Sequence, residues 1–211
     1  MTKQELFDYI AGQEEFLNKV SDSVWDNPET CYSEKISSEI ICKALEEQGF
    51  QVERDVADIP TAFTGTFGHG KPVIGFLGEF DALSGLSQVA GATEKIGVHP
   101  GGNGHGCGHN LLGTGCLAAA IGLKKYLEEN GKEGTIIFYG CPAEEGGGGK
   151  TFMAREGCFD HLDAAIAWHP GDAYGSSAGS TLANCQIYFR YKGISSHAGI
   201  SPHLGRSALD A

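Results

Sequence analysis

The chain has 211 residues, enough for one large domain, or for one domain and part of another, with a sizeable buried core. Its formal net charge of −12, without a run of Lys or Arg, argues against nucleic acid and an anionic membrane surface as partners. The sequence shows neither a signal peptide nor a stretch of transmembrane length, so a cytoplasmic location is expected.

Helices and then strands open the chain. Apolar residues at helical spacing predict one amphipathic helix over residues 2–26. A second helix is predicted over residues 33–50, with Ser33 as its N-cap and Gly49 as its C-terminal stop. Three strands are predicted next, at residues 50–56, 61–68 and 72–80. The third strand is almost entirely apolar, which is typical of a strand buried on both faces.

The middle of the chain alternates between helices and strands. A long helix is predicted from Asn110 to Asn130, closed by Gly131. A buried strand, a glycine-rich loop with a short helix, and another buried strand follow at residues 135–140, 146–159 and 163–168. This order implies right-handed crossovers, and it predicts an α/β fold with a mainly parallel mixed sheet and helices on both faces.

The sequence changes character after residue 183. Residues 185–193 alternate like a half-exposed strand, and residues 201–211 resemble the first turns of a helix. We therefore predict one domain over residues 1–183 and the incomplete beginning of another over residues 184–211. Because those last residues are too few for a domain of their own, a truncated chain or a fragmentary gene is expected.

Residues able to carry chemistry gather around the ends of the predicted strands. They are Asp81, Cys107, His109, Glu144, Glu145 and His169. Open α/β sheets place their sites at the carboxyl ends of parallel strands. A thiolate, imidazoles and a carboxylate together are suited to zinc or manganese, and to zinc best. Four other histidines are interpreted as surface or hydrogen-bonded residues without a role in the site: His69, His99, His161 and His203.

The adjacent carboxylates of "PAEEGGGGK" suit hydrolysis by a metal-activated water. One glutamate would bind the metal while its neighbour accepts the proton of the attacking water. On most proteins such a pair lies on a solvated helix face. Here four glycines follow, which favours a tight loop over a helix.

Two other kinds of site share parts of this pattern. Gly149, Lys150 and Thr151 resemble the end of a phosphate-binding loop, but Glu144 stands where that motif needs glycine. Alternatively, Cys107 would be a nucleophile with His109 or His105 as its base. Their close spacing in a glycine turn favours shared metal ligation over a thiol hydrolase.

Five motifs in order, "GEFDAL", "GHGCGHNLLGTG", "CPAEEGGGGK", "AWHPG" and "GISSHAGISPHLGRSALDA", resemble the M20 family of metallopeptidases and amidohydrolases. The resemblance covers nearly the whole chain. It implies that four residues bind metal: Cys107, His109, Glu145 and His169. It further implies that Glu144 is the general base and that Asp81 orients a metal ligand. His197, in "SSHAG", would lie in a smaller lid domain and bind substrate or the oxyanion.

The resemblance also implies cofactors and partners. Residues 1–183 would be the catalytic metallohydrolase domain, and residues 184–211 the beginning of a small α+β lid or dimerisation domain. The intact enzyme would hold two divalent ions, Zn or Mn, and form a homodimer through its lid. Its small-molecule substrate would be a dipeptide, an N-acyl amino acid or an aroyl-glutamate, cleaved at an amide bond next to a free carboxylate.

Two departures from the family pattern limit what the resemblance implies. Many members carry Asp-Gly-His where this chain has Asn110, Leu111 and Leu112, which argues against hippurate-type substrates. Members also contribute a further histidine ligand from far down the chain, and the family match does not assign that role to His105. The competing hypothesis is an incomplete amidohydrolase fragment that binds metal without turnover.

Overall fold

The computed structural model describes residues 1–176 and 178–210. The chain forms two compact units, Met1–Tyr174 and Gly175–Ala211. The first unit contains five helices and five strands, and its α/β fold agrees with the prediction. The helices are α1 (Lys3–Ala11), α2 (Glu14–Trp25), α3 (Lys35–Glu47), α4 (His109–Asn130) and α5 (Gly149–Arg155). The strands are β1 (Gln51–Arg54), β2 (Phe63–His69), β3 (Val73–Gly78), β4 (Gly134–Gly140) and β5 (Ala164–Ile166).

The sheet is mixed, with the strand order β1-β2-β4-β3-β5. β3 pairs in parallel with β4 and with β5, whereas β2 pairs antiparallel with β1 and with β4. Helices α1 and α2 pack on α4, and α4 packs on β3 and β4. The parallel strands therefore lie together on one side of the sheet, and their carboxyl ends share one edge.

Strand β4 contributes side chains to hydrophobic clusters on both faces of the sheet. Ile136 and Phe138 belong to the large cluster formed with α2, α3 and α4. Ile137 and Tyr139 belong to a smaller cluster that includes Met153 of α5. Burial of a large apolar side chain stabilises a fold by about 1.5–3 kcal/mol. These alternating contacts hold β4 in the middle of the sheet.

The helices at the start of the chain depart from the predictions. The single helix expected over residues 2–26 is two helices, because the chain turns at Gly12 and Gln13. Glycine has a low helix propensity, and Gly12 caps α1 through its N–H bonds to Asp8 and Ile10. The predicted N-cap Ser33 is also wrong, since α3 begins after Glu34. The carboxylate of Glu29 instead accepts the backbone N–H groups of Ile36 and Ser37.

Helix α4 lies close to the end of β3. Gly108 precedes the helix with a φ of +78°, a conformation that favours glycine. A Cβ on Gly113 would lie 2.7 Å from the carbonyl oxygen of Glu79. Gly131 ends the helix in the left-handed conformation, as predicted. The glycine at position 113 thus lets the first turns of α4 approach the chain that follows β3.

The second unit contains one 3-10 turn, Pro202–Leu204, and a bridge between Ile194 and Arg206. The strand expected over residues 185–193 is wrong: these residues, all described, pair with no other strand in the structure. Without a partner, alternating apolar residues gain no ladder of hydrogen bonds. Of the helix expected over residues 201–211, the described residues 201–210 form only the 3-10 turn, which ends at Gly205, and residue 211 lies outside the described residues. The assignment of residues 184–211 to a lid domain stays a prediction.

Over the residues that the structure describes, every helix is too short or too polar to cross a membrane.

Candidate metal centre

Side chains from three strand ends and one helix converge in the first unit. Glu79 and Asp81 follow β3, and Glu144 and Glu145 follow β4. His169 follows β5, while His109 begins α4. Their contacts bring these groups together at the carboxyl edge of the parallel strands. This is the place where the sequence predicted the site.

Asp81 connects two of these elements. Its Oδ1 lies 2.9 Å from Nδ1 of His109, and its Oδ2 accepts a hydrogen bond of 2.9 Å from the backbone N–H of Glu145. The Asp81 residue is only 1% exposed. Both carboxylate oxygens are therefore engaged, and the bond to Nδ1 directs the Nε2 atom of His109 towards the other carboxylates.

The Nε2 atom of His109 is buried and has no hydrogen-bond partner among the described residues. Glu79 Oε2 lies 3.1 Å from it, Glu144 Oε2 3.9 Å and Glu145 Oε1 4.0 Å. Burial opposes protonation of His109, but the bond to Asp81 and the charges of Asp81, Glu79 and Glu145 outweigh it and raise the pKa. The position beside Nε2 therefore favours a cation. We call Glu79, His109 and Glu144 the carboxylate side of the site.

Cys107 and His169 form the other part of the site, which we call the thiolate side. The Sγ atom of Cys107 lies 3.2 Å from Nε2 of His169. Nδ1 of His169 lies 2.9 Å from the carbonyl oxygen of Pro170. Nδ1 therefore donates a hydrogen bond to that carbonyl, and in the neutral ring the lone pair is on Nε2, facing the sulfur.

The same surroundings argue against Cys107 as a nucleophile. Burial, a hydrogen bond with Glu145 and the charges of Glu144 and Glu79 raise the pKa of the thiol to about 12. A thiol is reactive as its thiolate, and carboxylates disfavour that form unless a cation is present. His109 is bound to Asp81, and Nε2 of His105 donates a hydrogen bond of 3.0 Å to the carbonyl oxygen of Val24. Neither histidine is placed as the base of a thiol hydrolase.

The loop that carries Glu144 and Glu145 is held by a buried hydrogen bond from Ala143 to Glu34. Ala143 has a φ of +58°, which is unfavourable for alanine. Its N–H donates a bond of 2.8 Å to the carboxylate of Glu34, a side chain with no solvent exposure. Thr61 donates a bond of 3.2 Å to the other oxygen of Glu34. Glu34 thus holds the strained residue directly before the proposed base.

Glu144 is exposed, unlike its neighbours. Partial burial and the charges of Glu79 and Glu145 raise its pKa, and His109 and Lys150 oppose that shift. A carboxylate whose pKa is raised is a better proton acceptor than an ordinary glutamate.

Glu79 is a residue of the site that the sequence analysis missed. Its Oε2 faces His109, and its Oε1 is bonded to the ammonium of Lys150. The sequence could have indicated this residue. Side chains two apart in an extended segment lie on the same face, and Asp81 was already a candidate. The pairing of Lys150 with Glu79 also removes the phosphate-loop alternative, since the lysine faces carboxylates.

Three further predictions concern single residues. Glu145 lies outside both groups of converging ligand atoms, although its Oε1 is buried without a hydrogen-bond partner in the described part of the chain. His105 is 5% exposed and stacks on Trp25, so it attaches the glycine-rich loop to the end of α2. His197 lies in the second unit, where its Nδ1 accepts the N–H groups of Gly199 and Ile200.

The donor atoms of the two sides fit a divalent ion. Within Cys107, His109 and His169, and within Glu79, His109 and Glu144, one donor atom from each residue lies within 4.8 Å of the others. A buried imidazole nitrogen without a partner is costly unless something occupies it. One sulfur, two imidazoles and carboxylates form a donor set typical of zinc, and the carboxylate side also suits manganese.

Residues 75–187 match the peptidase family M20/M25/M40. The chain is 57% identical over 204 residues to one of the subunits of p-aminobenzoyl-glutamate hydrolase from Escherichia coli, covering 97% of this chain and 42% of that protein. It is 30% identical over 223 residues to the Xaa-Arg dipeptidase of Mus musculus, covering 100% of this chain and 48% of that protein. The chain therefore spans less than half the length of these two relatives.

The fold is also similar to a solved structure, a dinuclear metal-binding peptidase of the M20 family from Bacillus subtilis. The two have a TM-score of 0.58 at 23% sequence identity, over 75% of this chain and 44% of the other. At this identity the similarity shows a common fold.

Proposed function

The chain belongs to peptidase family M20/M25/M40, and from this membership we propose that it takes part in metal-dependent hydrolysis of an amide bond next to a free carboxylate. The observation that carries the proposal is the buried Nε2 of His109, without a hydrogen-bond partner among the described residues. Three carboxylates lie within 4.0 Å of this nitrogen. An arrangement with so much negative charge around one imidazole nitrogen is suited to a divalent cation.

The residues that would hold the metal come from both sides of the site. Cys107 and His169 offer sulfur and nitrogen, His109 offers Nε2 between the two sides, and Glu145 offers a buried oxygen without a partner among the described residues. A divalent ion supplies Lewis acidity, which polarises a substrate carbonyl and makes a nearby water more acidic. We propose zinc or manganese, two ions per site, which agrees with the dinuclear character of the Bacillus subtilis peptidase.

Glu144 would move the proton in this reaction. Its exposed carboxylate accepts a proton from the attacking water and delivers it to the nitrogen of the leaving amine. The raised pKa of Glu144 supports this role, because the group has to take up a proton and release it within one turnover.

Asp81 and His197 would assist in different ways. Asp81 holds the ring of His109 and the backbone of Glu145 through its two oxygens. His197 accepts two backbone N–H groups at Nδ1, at 3.1 and 3.2 Å, so its neutral form carries the proton on Nε2. That N–H is the kind of donor that stabilises an oxyanion, and we propose this role for it.

The substrate class follows from the relatives. One is part of a p-aminobenzoyl-glutamate hydrolase and another is a dipeptidase. An aroyl-glutamate and a dipeptide share an amide bond beside a free carboxylate. We therefore propose an aroyl-glutamate, an N-acyl amino acid or a dipeptide as substrate, and a homodimer as the working assembly of the longer protein.

The test is the variant Glu144→Gln, which keeps the shape of the side chain and removes the base. We expect bound metal to stay at the wild-type level and hydrolysis of p-aminobenzoyl-glutamate and a dipeptide panel to fall at least about 100-fold. Bound zinc and manganese are measured by elemental analysis, and product by amine release. The matched control is Glu128→Gln, an exposed glutamate of α4.

Two outcomes would contradict the proposal. Wild-type turnover in Glu144→Gln removes the base assigned here. Metal bound by the wild type without hydrolysis of any substrate in the panel favours the competing hypothesis, a metal-binding chain without turnover.

A further inference from the structure

The two carboxylate oxygens of Glu79 have different surroundings. Oε1 is bonded to the ammonium of Lys150, whereas Oε2 lies 3.1 Å from Nε2 of His109. Glu79 is 9% exposed, and the His109 side chain is fully buried. One oxygen is therefore neutralised by a fixed cation, and the other is presented to the nitrogen that lacks a hydrogen-bond partner among the described residues.

We propose that Glu79 is a further metal ligand, which binds through Oε2 together with Nε2 of His109 while Lys150 holds Oε1. This inference rests on the proposed function, because it assigns a further residue to the same site. Lys150 has a positioning role in it: with Oε1 occupied by the ammonium, Glu79 can offer a single oxygen to the ion.

The distances support a shared ion. With metal–ligand bonds of about 2.0–2.1 Å, two ligands of one tetrahedral zinc lie roughly 3.3 Å apart. The observed 3.1 Å between Glu79 Oε2 and His109 Nε2 is close to that value. The Nε2 atom nevertheless has no hydrogen-bond partner within the described residues. Without a proton on Nε2 the two atoms make no hydrogen bond, and their separation is that of two ligands of one ion.

The local charge points to the same conclusion. Four carboxylates surround the ring of His109, those of Glu79, Asp81, Glu144 and Glu145. Among the described residues, Lys150 is the one lysine or arginine within ion-pair distance of any of them. A single ammonium leaves most of this charge without compensation, whereas a divalent ion bound by Glu79 would supply it where the carboxylates meet.

The experiment titrates the 211-residue chain with Zn²⁺ against a competing chelator, and in parallel with Co²⁺, whose thiolate absorption band reports a bond to Cys107. Glu79→Gln keeps the shape of the side chain and loses the anionic ligand. The matched control is Asp163→Asn, which removes the same charge from a lysine–carboxylate pair at the start of β5.

We expect wild type to bind two equivalents of Zn²⁺. In Glu79→Gln, the affinity for one equivalent should fall at least about tenfold, while the cobalt–thiolate band per bound ion is kept. Asp163→Asn should match wild type. Unchanged affinity and stoichiometry in Glu79→Gln would overturn the inference. Failure of the proposed function would give a different result. In that case wild type would bind no zinc, or Cys107→Ala and His109→Ala would leave zinc binding unchanged as well.

A second pair of variants keeps the inference testable if Glu79→Gln folds poorly. Lys150→Met leaves the carboxylate of Glu79 buried without its ammonium, and the double variant with Glu79→Gln removes both charges. If Glu79 binds the ion, Zn²⁺ should raise the Tm of Lys150→Met more than that of the double variant. Equal shifts in Tm would show that Glu79 does not bind the ion and would overturn the inference.

Discussion

The two sides of the candidate site differ in how firmly folding places them. On the carboxylate side, Glu79 and His109 are buried, and each has a defined partner in Lys150 or Asp81. On the thiolate side, Cys107 is half-buried and His169 is exposed, and the ring of His169 is held by its contact with Cys107 and its bond to the carbonyl of Pro170. The comparison indicates that Glu79 and His109 are fixed by the packing of the core, whereas Cys107 and His169 are held by contacts nearer the surface.

The largest expected effect comes from replacing Asp81, the residue that holds His109 and Glu145 on the carboxylate side. Asp81→Asn would place an amide N–H against a buried donor, either Nδ1 of His109 or the N–H of Glu145. Breaking a buried charged pair costs about 3–5 kcal/mol, and we expect a loss of that size in the free energy of unfolding. Urea denaturation measures it.

The comparison for Asp81→Asn is again Asp163→Asn. Asp163 is an exposed partner of Lys71 that also accepts the backbone N–H of Val73, and we expect its replacement to destabilise the fold much less than that of Asp81. Equal destabilisation by the two variants would contradict the anchoring role of Asp81. If the two sides are independent, Asp81→Asn should also weaken zinc binding while cobalt still shows the thiolate band.

A variant on the thiolate side should have the opposite profile. His169→Ala removes an exposed ring, so the free energy of unfolding should change by no more than about 0.5 kcal/mol. Zinc affinity should still fall at least about tenfold, because a ligand is lost. Chelator competition and urea denaturation of the same preparation measure both quantities. His203→Ala, an exposed histidine of the second unit, is the control, and a large loss of stability in His169→Ala would contradict the comparison.

The smallest effect concerns Glu34, which supports the loop of the carboxylate side. Burial raises the pKa of Glu34 above its ordinary value of 4.5, although backbone N–H groups oppose the shift. The folded chain therefore holds this proton more tightly than the unfolded chain. The associated stability is complete below the unfolded pKa and is lost as pH rises through the folded pKa.

Glu34→Gln cannot lose a proton and keeps an acceptor for the N–H of Ala143. Relative to wild type, the stability of this variant should therefore increase as pH rises above about 4.5. Urea denaturation across a pH series measures the difference, with Glu128→Gln as the control for an exposed glutamate. Parallel pH curves for wild type and Glu34→Gln would show that the carboxylate is not under strain in the fold.

Local signals account for the parts of the structure that the sequence predicted well. The apolar runs of β3 and β4 and the glycine after α4 are local features, and they are enough to place the strand ends. The division of the first helix was missed because apolar spacing continues across Gly12. The antiparallel pairing of β2 with β4 joins segments some seventy residues apart in the chain, a relation that periodicity does not contain.

The candidate site shows the same limit. Cys107 and His109 stand in an unusual glycine-rich stretch, and the adjacent glutamates precede four glycines, so composition alone singles them out. Glu79 looks like an ordinary polar residue after a strand. Its role depends on Lys150, which lies 71 positions away, and on the direction of one ring nitrogen. Contacts of that kind are set by packing.

Asp81 bonds both His109 and the backbone amide of Glu145, so hydrogen exchange at that amide reports on the metal centre. The N–H of Glu145 is bonded to the same carboxylate that holds His109. This amide hydrogen therefore exchanges with solvent only when its hydrogen bond to Asp81 breaks. The exchange rate of this single amide would therefore report how often the ring of His109 is free to turn. Slowing of that exchange by added zinc would reveal occupancy of the centre without any substrate or turnover.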